Sequence, residues 1–426
     1  MRRRHVVSRV WLSALAVFCC GALAAAGESL EIQVKAGDCA REFTPVCVEI
    51  ALPDSLKGVP DSAIDAGLFE KGQPEPKRIP GQIERDAKGA AEARLHFVLP
   101  SLPAGAERTY RVELKKASGK TVGFTWKDTP GDHCDLLYGD RPVIRYMYAY
   151  DTSSKERHLA TYKPYHHVFD STGKKILTKG PGGLYPHHRA LYIGWNKLKF
   201  GDKTYDHWHM RYHWKEDGKK RHKLIAQVHQ KFVKREAGPV FGRMTALIHW
   251  NDAEDQPIIA EERTVTVYHL MGTAFLLDFD TTLRAPRGDV LLNGDKNHGG
   301  FQFRADNELA DKEKQKNTRY IFADLKKKPP KAADIPWSAM SMVLEGKRYT
   351  VGHFNDPGNP QPTEYSQDRK YGRFGAFFKD HTIKKGEALA LRYRIMVWEG
   401  ETPPPAETIE AKHVDFIDPP QVTVLK

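Results

Sequence analysis

Histidines gather in one stretch of this chain. Between Lys163 and Trp214 it reads KPYHHVFDSTGKKILTKGPGGLYPHHRALYIGWNKLKFGDKTYDHWHMRYHW, with His166, His167, His187, His188, His207, His209 and His213 among the protein's 19 histidines. An even spread would put only about two there. Imidazole titrates near neutrality, ligates metals and serves as acid or base, so such a cluster among aromatics and glycines points to a functional site. Partly buried strand histidines would also account for it.

Read as one strand, Tyr205 to Trp214 separates its side chains with a period of two. His207, His209, Arg211 and His213 then share a polar face that can line a cleft. The spacing His207-x-His209 lets a strand offer two imidazoles to one metal. Asp206, Trp208, Met210, Tyr212 and Trp214 share the other face, which is either core or a stacking platform for a sugar ring. Upstream, Gly182 and Gly183 allow unusual backbone angles ahead of Pro186-His187-His188-Arg189. Adjacent residues point opposite ways, so one of His187 and His188 enters the cleft while the other braces the loop. Arg189 is suited to a carboxylate or a sugar hydroxyl, and equally to an ordinary salt bridge. Asp295 to Gly300 forms a tight polar loop with Lys296 and His298, leading into FQFR, where Gln302 and Arg304 share one face. A last polar loop follows His353 and holds Asn355, Asp356, Asn359, Glu364, Tyr365 and Arg369.

The elements that must position these groups read as strands. At 426 residues the chain is long enough for two or three domains. Its hydrophobic share of 40% is globular, and its negative mean hydropathy excludes a polytopic membrane protein. Residues 1–26 have the form of a secretory signal peptide: Arg2, Arg3, Arg4 and Arg9, then an apolar run from Val10 to Leu23, then Ala24-Ala25-Ala26. The expected location is therefore secreted or periplasmic, with no integral span after cleavage. Three cysteines remain, and Cys39 with Cys47 are the expected disulfide partners if their strands are neighbours. The net charge of +12 keeps the protein basic, but scattered lysines show no nucleic-acid reader. An acidic polysaccharide or an anionic envelope surface would suit that balance.

From Glu28 to Trp126, short alternating runs such as PVCVEIAL, ARLHFVL and RTYRVEL predict a small β-sandwich, residues 27–127, with Tyr110, Val112 and Leu114 facing one way. The turn KDTPGDH at 127–133 is the expected boundary. Beyond it, VIRYMYAYD, ALYIGW, KLIAQVHQKFV, MTALIHW, RTVTVYHL, AFLLDFDTTL and ALRYRIMVW keep the period of two. Residues 128–426 are thus expected to form a large antiparallel β-sandwich, and the fold class is all-β. Asp306 to Thr318 reads as a short helix or insertion, and 324–334 as a basic loop.

The order KPYHHVF, PHHRALYIGW, YDHWH, GDKNHGGFQFR, HFNDPGNPQPTEYSQDRKYGRFGAFF resembles the family carried under the label "methane oxygenase PmoA", over about residues 140 to 400. The chain departs from that family's pattern at Leu184-Tyr185, where an acidic residue ordinarily precedes Pro-His-His-Arg. The resemblance implies an exported protein associated with carbohydrate use, with a core similar to the galactose-mutarotase type of β-supersandwich. It implies one cleft holding His187, His188, Arg189, Asp206, Trp208, Lys296, Arg304, His353, Asn355 and Asn359.

The resulting expectation is acid/base chemistry on a sugar ring, of hydrolase, lyase or epimerase type. His187, His188 or His207 would be the base, Arg189 or Arg304 the electrostatic partner, and Trp208 or Trp195 the stacking face. Alternatives are a glycan-binding protein without turnover, and a metal-dependent hydrolase or oxygenase using His207 and His209. No cofactor is predicted, a divalent metal is an open alternative, and the expected partner is a carbohydrate or other small polar substrate.

Overall fold

The computed structural model describes residues 28–87, 90–119, 122–210, 213–214, 221–222, 225–270, 275–295, 297–323, 335–366 and 369–425. The leader expected at residues 1–26, the basic loop at 324–334 and Lys296 lie outside them. The described chain is all-β as expected, with every strand pair antiparallel.

The N-terminal part is one seven-stranded sheet that curls around its own core of Ile32, Val34, Leu95, Phe97, Val112 and Leu114. Alternation explains this packing: in Arg41–Ala51, Val46, Val48 and Ile50 point inward while Cys47 and Glu49 point out. Tyr110, Val112 and Leu114 share the buried face, as their spacing predicts. The last strand, Gln421–Leu425, returns to pair with Glu28–Lys35. Before it, the helix Ala406–Ile417 docks on Arg41–Ala51, where Asp415 accepts hydrogen bonds from Arg41 (3.3 Å) and Thr44 (2.9 Å). The expected disulfide is absent, since Cys39, Cys47 and Cys134 are all free thiols. Cys47 lies well inside the extended strand that starts two residues after Cys39. Seven residues of largely extended chain separate the two by on the order of 20 Å, far beyond the reach of a disulfide.

Two eight-stranded sheets follow and pack face to face. In the second sheet the order is Glu364–Tyr365, Arg373–Phe377, Gly299–Arg304, Leu191–Trp195, Tyr165–Val168, Arg141–Met147, His133–Tyr138 and Phe124–Thr129. The turn at 130–132 is therefore a hairpin tip inside this sheet, with Gly131 at φ 77°. The third sheet runs from Ala226–Ala237 through Phe241–Asn251, Pro257–Tyr268, Phe275–Arg284 and Ala388–Glu399 to Lys347–Asn355, Trp337–Leu344 and Arg319–Phe322. Leu191, Ile193, Phe301 and Phe303 meet Val265, Leu277, Phe279 and Ile395 in one core, and Phe279 stacks on Phe301 at 4.1 Å. The stretch 306–318 forms the 3-10 turn Asn307–Ala310 and the short helix Lys312–Gln315.

The same alternation puts polar side chains on the opposite face of the second sheet. Tyr192 is registered with Gln302, and Arg304 with Arg373, while His167 is registered with Arg145. Such a face is ordinarily wet. Here Tyr192, Gln302, Arg304 and Arg373 are buried, with Trp208 packed on Tyr192 and Arg373, and with the Asn297 and Tyr371 carbonyls bonded to Arg373 and Arg304.

Candidate functional site

Two short turns of the same design deliver histidines to the rim of this covered face. The strand Lys203–Tyr205 stops because Asp206 folds back on the chain. Its Oδ1 accepts from the backbone N–H of Trp208 (3.1 Å) and His209 (2.9 Å), and its Oδ2 meets His209 Nδ1 at 2.9 Å. Met210 then adopts φ 54°, which ends the extended run. Tyr205 to Trp214 is therefore not one strand, because an aspartate that binds the backbone two and three residues on favours a turn over a ladder. In the second turn, Asp295 accepts from the Asn297 N–H at 2.9 Å, and its carboxylate lies 3.0 Å from His298 Nδ1. Both read Asp-x-x-His. That repeated spacing was the sequence signal for His209 and His298 as a pair.

The loop ahead of Pro186 is built on glycine. Gly182 and Gly183 sit at φ 80° and 62°, and a Cβ on Gly183 would lie 2.4 Å from the Asn307 side chain. Asn307 uses that closeness to accept the Leu184 N–H at 3.0 Å. The loop then splits the two histidines as their adjacency predicts: His188 is buried, and His187 is half-buried at the mouth. The His187 ring lies 4.5 Å from His209, which lies 5.0 Å from His298; His188 is 4.4 Å from His187. Tyr185 and Tyr371, 5.0 Å apart, flank this mouth, with Tyr185 43% exposed. Trp208 lies fully buried beneath it, against Tyr192 (4.9 Å) and edge-on to His298 (6.2 Å).

Electrostatics set these groups apart. Burial pushes the Asp206 carboxyl up, but hydrogen bonds from the His209 ring and backbone outweigh it and hold Asp206 below the usual carboxylate range. Asp295 is held down in the same way by His298 and the Asn297 N–H. Both carboxylates therefore only accept, and each is placed to hold a proton on Nδ1 of its histidine, which orients the ring. Burial, with Lys163 and His209 nearby, lowers His187 to about 2. His188 is driven lower still by burial and Arg373.

Beneath the mouth lie two lysines that the sequence reading missed. Lys163 Nζ donates to the Trp208 carbonyl at 2.6 Å and sits 4.4 Å from the Tyr192 ring. Lys179 donates to the carbonyls of Gly180 (2.9 Å) and Gly182. Lys163 opens the motif KPYHHVF, where the two histidines drew the reading, and Lys179 stands outside the motifs, a few residues after Lys174 and Lys175.

Several expected residues are elsewhere. His207 is buried with its ring 5.5 Å from Trp250, so it and His209 do not face one ion. The cause is the Asp206 turn, which also seats the His207 carbonyl where a Cβ on Gly194 would stand. Among the described residues no group of three His, Cys, Asp or Glu is placed to hold a metal. Trp195 is core, packed on Phe378 and Trp250, and offers no face to a ligand. Among the described residues Arg189 has no salt-bridge partner; its guanidinium holds the carbonyls of Pro186, His188 and Leu159 and lies over Tyr162 and Tyr165. His353 is between the sheets, 3.3 Å from the Phe301 carbonyl and 3.4 Å from the Tyr365 hydroxyl. Asn355 and Asn359 bond each other at 2.9 Å, and Asn359 clamps Arg392 through its backbone. They brace the 356–363 loop away from the histidines. Arg304, Trp208, Asp206, His187, His188 and His298 do come together.

A family of unknown function, DUF6807, matches residues 133–413, which contain every one of these groups. The chain belongs to this family. That match gives no support to the methane-oxygenase label which the motif order resembles, and it carries no activity. No curated protein matches the chain. Among solved structures, an α-mannosidase from Enterococcus faecalis V583 is similar, with 9% identity and a TM-score of 0.47 over 93% of this chain. This chain spans 46% of that structure's chain.

Proposed function

We propose that this protein is an exported carbohydrate-active enzyme that moves a proton at a sugar ring carbon. The observation that carries the reading is the pair of carboxylate-held histidines at one mouth, Asp206–His209 at 2.9 Å and Asp295–His298 at 3.0 Å. A carboxylate that fixes Nδ1–H orients the imidazole and stabilises the imidazolium that forms when Nε2 takes a proton. His187, held neutral, contributes a hydrogen bond to a substrate hydroxyl and no competing charge. Tyr185, exposed beside the mouth, supplies the apolar face on which a sugar ring stacks, in place of Trp195.

The test is incubation with neutral and acidic monosaccharides and oligosaccharides in D2O, followed by proton NMR. Loss of a ring C–H signal, or a new product, that disappears in His209→Gln and His298→Gln supports the proposal. Tight sugar binding with every ring proton retained would instead favour a glycan-binding protein.

A further inference from the structure

Five basic side chains are packed under the histidine mouth: Lys163, Lys179, Arg189, Arg304 and Arg373, none more than 2% exposed. Neutral groups are what they touch. Arg304 Nη1 donates to the carbonyls of Ala305 and Tyr371, and Arg373 Nη1 to the Asn297 carbonyl (2.8 Å) and Gln302 Oε1 (3.4 Å). Arg189 and the two lysines likewise end on carbonyls and rings. Among the described residues no carboxylate lies within ion-pair distance of any of the five.

This protein pairs its buried arginines elsewhere. Arg263 is held by Glu261 at 2.7 Å, Arg394 by Asp278 at 2.6 Å, and Arg41 by Asp415 at 3.3 Å. Burying charge without a counter-ion is costly, and a fold that supplies partners at three other sites has withheld them at this one. Hydrogen-bonding groups are left over in the same place. Arg304 Nε and Nη2, the Trp208 indole N–H, the Tyr192 hydroxyl and His188 Nδ1 are buried without a partner. Arginine and indole nitrogens only donate, so what completes them is an acceptor. The groups adjoin one another: Arg373 lies 5.7 Å over Trp208, Trp208 packs on Tyr192, and Arg304 lies 4.9 Å over Tyr371.

We infer that the missing partner belongs to the substrate: the floor formed by Arg304, Arg373, Trp208 and Tyr192 binds the carboxylate of an acidic sugar, with its ring under His187, His209 and His298. The choice of a sugar rests on the proposed function, while the anion site does not. Because the free donors are sealed from solvent, binding requires the loop 180–188 to move against the hydrogen bonds that Asn307 makes to Leu184 and Lys179 makes to Gly180 and Gly182. A carboxylate also fits the proton step. When a histidine Nε2 takes the hydrogen from the ring carbon beside the carboxylate, the C–H electron pair moves into a carbon–carbon double bond and the charge onto the carboxylate oxygens. The arginines are placed to hold that charge. Return of a proton to the carbon restores the acid, so the cycle needs no oxidant or reductant.

The experiment is calorimetric titration and thermal shift of the full protein with glucuronate, galacturonate, glucose and inorganic phosphate at fixed ionic strength. A uronate should bind at least tenfold tighter than glucose and raise Tm. Arg304→Gln should remove that preference. Trp208→Phe, which keeps a ring and deletes only the N–H, should weaken uronate several-fold while remaining folded. Phosphate binding in place of uronate would overturn the carboxylate assignment, and equal affinity for glucose and both uronates would overturn the anion site. Uronate binding without deuterium exchange at the ring leaves this inference standing and removes the acid/base reading; exchange on neutral sugars with no anion preference does the reverse.

Discussion

Lys179→Met should make the free protein more stable, an uncommon outcome for a buried position. Lys179 is buried beside Arg189 and Arg304, and burial and these two charges lower its ammonium to about 7. Against an ordinary value near 10.5, a shift of that size corresponds to about 5 kcal/mol at full weight. The cover over it is thin, since Gly182 and Gly183 are exposed, and solvent screening brings the cost to about 2–3 kcal/mol. Losing the hydrogen bonds to the Gly180 and Gly182 carbonyls offsets about 1 kcal/mol of the gain. The net expectation is about 1–2 kcal/mol of added stability at pH 7. The sign against pH follows from linkage. Below about 7 the lysine is charged in both states and the folded protein bears the whole cost; as pH rises toward 10.5 the folded lysine is neutral while the unfolded one still holds its proton. Wild-type stability should therefore climb between pH 7 and 9, and the advantage of Lys179→Met should shrink over the same range. Urea midpoints of both proteins at pH 6, 7, 8 and 9 measure this. A variant less stable than wild type, with a flat wild-type profile, would refute the reasoning that these cations are unpaired and costly.

Acid should act in the opposite sense at the core histidines. Burial holds His207 and His353 down to about 3, so both fold neutral, and the unfolded chain takes up protons below about 6.5. Their contribution is whole above that value and is lost as pH falls from 6.5 toward 3, with about 4 kcal/mol gone by pH 5 from the two together. Chemical denaturation at pH 7, 6 and 5 would show it, and equal midpoints would contradict it. Asp206→Ala deletes the acceptor of two backbone N–H groups and should cost about 1–2 kcal/mol. Asp206→Asn, which keeps one acceptor oxygen, should recover most of that stability without restoring proton transfer; full activity in Asp206→Asn would show that the carboxylate does not orient His209. Mass spectrometry of the protein recovered from the exporting cell should find a mature N-terminus at Gly27, and an intact Met1 would argue against the leader.

Strand periodicity made the fold class and the FQFR faces legible, because alternation depends only on neighbouring residue types. What it could not show was where a strand gives way to a turn. Tyr205 to Trp214 carries a clean alternation, yet Asp206 offers its own backbone two hydrogen bonds, and local bonding wins over the pattern. His207 consequently went to the core and His209 to the mouth. Of the histidine excess, His187, His188 and His209 are brought together in space. Trp195, His353, Asn355 and Asn359 stood in motifs just as conspicuous and serve packing and loop bracing. The unpaired cations were illegible for a different reason. That Lys163, Lys179, Arg304 and Arg373 share one dry face is a property of sheet register and covering loops, which no single stretch of sequence contains.

The most direct test of the account is proton NMR of galacturonate and glucuronate in D2O with wild-type protein and with His209→Gln. The account predicts loss of the signal from the ring hydrogen beside the carboxylate at a rate that depends on enzyme concentration, and its retention in the variant. A uronate that binds and keeps every ring hydrogen through long incubation with wild type would contradict it.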